Sequence, residues 1–223
     1  MIGFVVPMEK EARTLIRAME KRKHATLKHR KLITGSLAGR KCVVLITGTG
    51  KIRSASGTQL LLDHFKCKVI YHFGSAGALS PDLKIGDFVV ATDILEHDYI
   101  RKFGEEEDNP VAHCQKQLGG RILKLAGRID VRAHPGRIVS GNEDVVTTSR
   151  RDELCKQFGG LSVDWESAGC ALVCNTNRVP VAVIRAVSDY AYEKTHDEYS
   201  QNAIDVCAKV CEFLIQFLSS STR

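Results

Sequence analysis

Aromatic residues supply only 6% of this 223-residue chain, and tryptophan occurs once. The densest basic stretch, Lys21-Arg22-Lys23-His24 followed by Lys28-His29-Arg30-Lys31, therefore lacks the interleaved rings on which single strands stack. The chain shows none of the usual nucleic-acid motifs, and its net charge is only +6. The basic cluster is expected to be a solvated loop, with no nucleic acid as partner. No apolar run approaches the roughly 20 residues that cross a bilayer, so no membrane is expected either. The first residues lack a basic n-region and a cleavage site, which predicts a cytoplasmic protein. Internal repeats, low-complexity segments and linkers are also missing, and 223 residues at 43% hydrophobic suit one domain over 1–223.

Metal chemistry has little to work with. Eight cysteines (42, 67, 114, 155, 170, 174, 207 and 211) are scattered along a chain without an export signal, which predicts reduced, mostly buried thiols. The pairs Cys170/Cys174 and Cys207/Cys211 have helical i,i+4 spacing, but no histidine is placed beside them as a zinc site would want. Core packing is the expected role, since a free cysteine behaves as a small hydrophobe. Gly48-Thr49-Gly50-Lys51 lacks the spacer and the Ser or Thr of a phosphate loop, and the third glycine of a dinucleotide fingerprint is absent.

What is present is an alternation of strand and helix patterns, which predicts a largely parallel sheet covered on both faces. Strands are expected at 2–6, 69–73, 87–93, 137–140, 161–165 and 181–187. Segments 31–36 and 41–47 read as a hairpin around Leu37-Ala38-Gly39-Arg40. Helices are expected from Pro7 to about Glu20, and at about 52–65, 166–175 and 197–218. The stretch 105–110 reads as a polar loop, with the acidic run 105–108 as a candidate lid.

Two carboxylates, Glu166 and Asp189, each follow an apolar β-branched run and stand where a buried strand should end. In open α/β sheets, strand ends are where ligands bind. Each also has a plainer reading, Glu166 as a helix start and Asp189 as a turn cap.

In chain order, the sequence carries Met8-Glu9-Lys10-Glu11, Gly48-Thr49-Gly50-Lys51, Gly74-Ser75-Ala76-Gly77-Ala78-Leu79 and Leu83-Lys84-Ile85-Gly86-Asp87-Phe88-Val89-Val90. Ile138-Val139-Ser140-Gly141, Val163-Asp164-Trp165-Glu166-Ser167-Ala168 and Val183-Ile184-Arg185-Ala186-Val187-Ser188-Asp189 follow. Over nearly its whole length the chain thus resembles the purine nucleosidases and nucleoside phosphorylases, and most closely the methylthioadenosine/S-adenosylhomocysteine nucleosidase branch. The resemblance implies a three-layer α/β/α fold with a central mixed sheet. It implies a homodimer that hydrolyses the N-glycosidic bond of a purine nucleoside with water, using neither metal nor organic cofactor.

Breaking that bond leaves an oxocarbenium-like sugar and an anionic base, so the catalyst must protonate the base, steady the sugar and deliver a nucleophile. By resemblance, Asp189 is the acid that protonates purine N7, and burial would have to hold its proton. Glu166 grips the ribose hydroxyls, and Glu11 is the base that holds the attacking water, with Arg185 and Ser75 orienting it. A first-turn glutamate such as Glu11 also complements a helix dipole. Gly77, Val145 and Ser188 are expected along the substrate pocket, Tyr199 near the 5′ substituent, and Phe103 in the neighbouring subunit's pocket. His196 is expected to be a structural or loop residue, not a catalyst.

Phosphorolysis is the nearest rival, with Lys51, Arg13 and Arg53 as its candidate anion site. Glu11 in the pocket, and His72 where phosphorylases carry arginine, favour water. A non-catalytic nucleoside sensor is the third reading, which retention of Glu11, Glu166 and Asp189 opposes. Departures from the nucleosidase pattern fall on the base and ribose walls. Asp144 stands where an aromatic stacks on adenine, Asp164 replaces a glutamate, and Trp165 replaces a methionine under the ribose, either as a flat floor or as core.

Overall fold

The computed structural model describes residues 1–100 and 109–220. Its first strand, β1 (Ile2–Val6), is buried throughout and leads through Pro7 into α1 (Glu9–Ala18). The hairpin β3 (Arg30–Leu37) and β4 (Arg40–Ile46) turns at Ala38 and Gly39, both with positive φ. The expected loop before it is instead a strand, β2 (Glu20–Leu27), paired antiparallel with β3. The basic cluster is solvated, because β2 is exposed along almost its whole length at the sheet edge. Charged residues on an edge strand also discourage further pairing.

Next come α2 (Lys51–His64), β5 (Val69–Ala78), β6 (Phe88–Glu96) and β7 (Val111–His113). The chain continues through α3 (Lys116–Arg128), β8 (Ala133–Ser140), α4 (Thr148–Phe158) and β9 (Ser162–Asp164). It ends with α5 (Ser167–Thr176), β10 (Val181–Asp189) and α6 (Thr195–Ser220).

The ten strands form one mixed sheet in the order β10-β6-β8-β9-β5-β1-β4-β3-β2, with β7 beside β6. Strand β10 also pairs with β5, which closes β5, β10, β6, β8 and β9 into a ring. One face is covered by α1, α3 and α6, whose Leu15, Ile122 and Leu214 pack on Phe4, Phe73 and Phe88. The other carries α2 and α5, which bury Leu61, Ala171 and Cys174 against Val5, Ile70 and Val183. The expected three layers around a mixed sheet are therefore present, with helices on both faces.

All eight cysteines are free thiols, and six are buried. Among the described residues, no helix is long and apolar enough to cross a membrane.

Candidate active site

A cavity of about 400 Å³ opens where the carboxyl ends of β1, β5, β9 and β10 converge. Each end delivers one functional side chain or its support. Strand β1 hands over to α1, whose first turn presents Glu11, buried to 2% exposure. Glu11 Oε1 accepts from the Ser75 N–H at 3.0 Å and from Ser75 Oγ at 2.9 Å, on the neighbouring strand β5. Its side chain is thus committed across the sheet, not to the helix dipole alone. Glu11 Oε2 is buried without a hydrogen-bond partner. A buried carboxylate oxygen left unpaired at a cavity wall is a place for a bound water or ligand donor.

Glu166 follows β9 and is the N-cap residue of α5, yet it makes no side-chain cap bond. Its Oε1 instead accepts from the Gly50 N–H at 2.9 Å, and its Oε2 lies 3.4 Å from Arg185 Nη2. Burial pushes the Glu166 carboxyl up to about 7, against the pull of Arg185. Gly50 can donate from this close because it sits at φ 95°, with no side chain to intrude.

Asp189 ends β10, where the register with β5 shifts between Val187 and Asp189. Such a bulge re-aims side chains at a strand end. Asp189 Oδ1 accepts from the Ala191 N–H at 3.1 Å, so the turn-cap reading describes one of its oxygens, while Ser188 Oγ lies 2.7 Å from Oδ2. Burial raises the Asp189 carboxyl above its usual range, although these hydrogen bonds oppose it. A Cβ on Gly77 would stand 3.0 Å from Asp189 Oδ1, so the glycine there keeps the carboxylate's approach open.

Arg185 is 1% exposed and does not line the cavity. Its Nε pairs with Asp164 Oδ2 at 2.6 Å, its Nη2 meets His72 Nε2 at 2.7 Å, and its Nη1 approaches the Ser75 carbonyl at 3.4 Å. Expected to help Ser75 orient the water, Arg185 stands behind the wall and braces Glu166 and the Ser75 backbone. His72 stands behind the wall as well. It is wholly buried, and its Nδ1 lies 2.8 Å from the Val5 carbonyl. The histidine that stands where phosphorylases carry arginine is a neutral support for Arg185, held down to about 3 by burial and the neighbouring guanidinium.

Asp164 is the hub that the residue pattern alone did not reveal. Its Oδ1 accepts from Ser140 Oγ at 2.7 Å and from the N–H groups of Glu166 and Ser167 at 3.1 and 3.0 Å. Oδ2 takes Arg185 and the Ser167 hydroxyl. Burial works against its charge, but Arg185 and the two serines outweigh it and hold the carboxyl low. The signal for this role was the apolar strand Leu161-Ser162-Val163 ending in a carboxylate just before a helix.

Trp165 lines the cavity half-buried, and its Nε1 donates to the Glu143 carbonyl at 2.8 Å, which rules out plain core burial. Ser75, Gly77, Val145, Ser188 and Tyr199 also line the cavity, and the Tyr199 hydroxyl lies 3.9 Å from Met8 Sδ. Asp144 is exposed at the rim, and His196 opens α6 there. Phe103 and the acidic run 105–108 lie outside the described residues. Met8, Thr49, Ala76 and Val163 join the wall without having been expected, because their types carry no chemical signature.

The candidate anion residues are not brought together here. Arg13 and Arg53 are exposed, and Lys51 is paired with Glu96 and Asp98. Among the described residues, the lining includes six carboxylates and no lysine or arginine. No three His, Cys, Asp or Glu side chains among the described residues converge as a metal site.

A family model described as the phosphorylase superfamily matches residues 1–221. A 5′-methylthioadenosine/S-adenosylhomocysteine nucleosidase of Staphylococcus aureus (strain JH9) is 31% identical over 228 residues, covering 98% of this chain and all of the relative. The structure of the nucleosidase of that name from Neisseria meningitidis, in complex with methylthio-immucillin-A, superposes with a TM-score of 0.91 at 27% identity, covering 98% of each chain. The Streptococcus pneumoniae nucleosidase, with a transition-state inhibitor, gives a TM-score of 0.91 at 26% identity over 99% of each chain. The chain belongs to the phosphorylase superfamily and, within it, to the family of the 5′-methylthioadenosine/S-adenosylhomocysteine nucleosidases.

Proposed function

We propose that this protein hydrolyses the N-glycosidic bond of a purine nucleoside with an apolar 5′-thio substituent, of the methylthioadenosine and S-adenosylhomocysteine kind, to free base and free sugar. The observation that carries water over phosphate is the cavity wall, with its six carboxyl side chains and no lysine or arginine among the described residues. A phosphate oxygen about 4 Å from one such carboxylate is repelled by roughly 4 kcal/mol per charge pair at an effective dielectric near 20. Neutral water meets no such barrier.

In this reading Asp189, whose carboxyl burial raises above its usual range, gives a proton to N7 as the glycosidic electron pair passes into the base. Glu166 accepts hydrogen bonds from the ribose hydroxyls, and these tighten as the sugar becomes cationic. Glu11 Oε2 holds the water, takes one of its protons as oxygen bonds to C1′, and so completes the hydrolysis. Arg185 is a positioning residue that fixes Glu166 and the Ser75 turn. Trp165 forms the floor, with Gly77, Val145 and Ser188 around the base, and Met8 and Tyr199 supply an apolar end suited to a thioether.

The reading extends to a cytoplasmic homodimer. Ile52, 78% exposed at the start of α2, and Ile100, 75% exposed, offer apolar surface for such contact.

The test is to incubate the protein with methylthioadenosine, S-adenosylhomocysteine, adenosine, inosine and guanosine, with and without phosphate. Free base and free sugar without phosphate are expected from the thioether nucleosides. Strict phosphate dependence with a phosphorylated sugar overturns the reading, and binding without turnover points to a sensor.

A further inference from the structure

The pair Cys207/Cys211, spaced i,i+4 on α6, packs in the core as expected, yet both thiols are aimed at one residue of α1. Cys207 Sγ lies 3.7 Å from Glu11 Oε1, and Cys211 Sγ lies 3.2 Å from the Glu11 carbonyl oxygen. Oε1 therefore has three donors, namely the Ser75 N–H, the Ser75 hydroxyl and the Cys207 thiol. Oε2, equally buried, has none.

We propose that Cys207 is a positioning residue for the hydrolysis, whose thiol completes a three-donor grip on Glu11 Oε1 and so reserves Oε2 as the oxygen that receives the proton of the attacking water. Both donors on Ser75 come from one side of the carboxylate, the β5 side. The thiol comes from α6, in the helix layer that also holds α1, so the carboxylate is held from two elements and its two oxygens cannot exchange places without breaking both grips.

Sulfur suits this position. The C–S bond is long, so a thiol reaches an acceptor that a serine on the same helix would meet less closely, and it fills an apolar core without stranding a strong polar group. Burial, reinforced by the negative charge of Glu11, pushes the Cys207 thiol up, so it stays protonated and faces the carboxylate only as a donor. Cys211 is pushed up to about 12 by burial and fixes the backbone of the same residue through its carbonyl. Arg185 from β10 converges on the same corner. A Cβ on Gly74 would stand 2.3 Å from Arg185 Nη1 and 3.1 Å from Glu11 Oε1.

The inference rests on Glu11 being the base, and the experiment separates the two. C207A, C207V, C207S and E11Q are compared for kcat and KM on methylthioadenosine, with thermal unfolding measured for each. C207A and C207V, the second of which refills the apolar volume, are expected to lose roughly three- to tenfold in kcat with KM unchanged. C207S restores a donor of shorter reach and is expected to recover part, but not all, of the lost kcat. Wild-type kcat in C207A and C207V overturns the proposal, as does C207S being no better than C207A at equal unfolding temperature. If E11Q keeps full turnover, the assignment of Glu11 itself fails. If E11Q is inactive while C207A is normal, only the role of the thiol is lost.

Discussion

Asp189 and Glu166 are both buried carboxylates, yet their partners differ, and so do the consequences of neutralising them. Asparagine at 189 keeps an acceptor for the Ala191 N–H and turns a donor, Nδ2, toward Ser188 Oγ while removing the transferable proton. D189N is accordingly expected to fold normally and to lose more than about 100-fold in purine release, measured by steady-state turnover beside a thermal melt. An unchanged rate would refute the assignment.

For Glu166 the sign follows from its carboxyl being raised in the folded chain to about 7 from the ordinary 4.5. Its contribution to stability is full below about 4.5 and is lost as pH rises through about 7, because the buried anion is disfavoured. E166Q is therefore expected to melt higher than the parent at roughly pH 8, by an amount of order 3 kcal/mol, and to match it at roughly pH 4. Free-enzyme kcat/KM of the parent should decline below about pH 7 as the ribose clamp protonates.

At this scale residue types and motif order made Glu11, Glu166 and Asp189 legible. Asp164, His72 and Arg185 were not legible in their actual roles, because which carboxylate holds which guanidinium depends on chain crossings far apart in sequence.

Elements with strong apolar periodicity or buried β-branched runs were readable, and those without were missed. The helix α4 buries only Leu154 and otherwise looks like a polar loop, being defined by the Thr147 cap and by Gly159 in the left-handed region. The helix α3 hides its buried Leu118, Ile122 and Ala126 among three glycines, which weigh against a helix. Strand β2 was read as a loop because none of its residues is fully buried, so no alternation marks it, and pairing with β3 supplies the order.

The turn joining them, Lys28-His29, holds both residues at positive φ, 47° and 65°, with Leu27 paired to Arg30. Two-residue hairpins of that kind favour Asn-Gly. Replacing Lys28-His29 by Asn-Gly should stabilise the chain by about 1 kcal/mol without altering turnover, as read by denaturant unfolding. A loss of stability would show that the lysine and histidine side chains matter to the hairpin.

Over the whole molecule, the pairing of β10 with both β5 and β6 closes the strand ring and gathers the ends of β5, β9 and β10 around one cavity, to which α1 adds Glu11. The exposed apolar surface at Ile52 and Ile100 leads to the expectation that light scattering will return twice the chain mass. Weakening of that assembly in I52E would support the interface, and a monomeric parent would refute it.

The sequence alone determined the layered α/β class, the strands that end in carboxylates and the nucleosidase type of motif set, because periodicity and chemical type are local properties. Only the tertiary structure decided that Arg185 braces the wall instead of touching the cavity, that His72 is a neutral support, that the cavity lining described here carries no lysine or arginine, and that Cys207 faces Glu11. Those are facts of distance between segments up to 196 residues apart, and nothing short of the folded sheet brings them within hydrogen-bonding range.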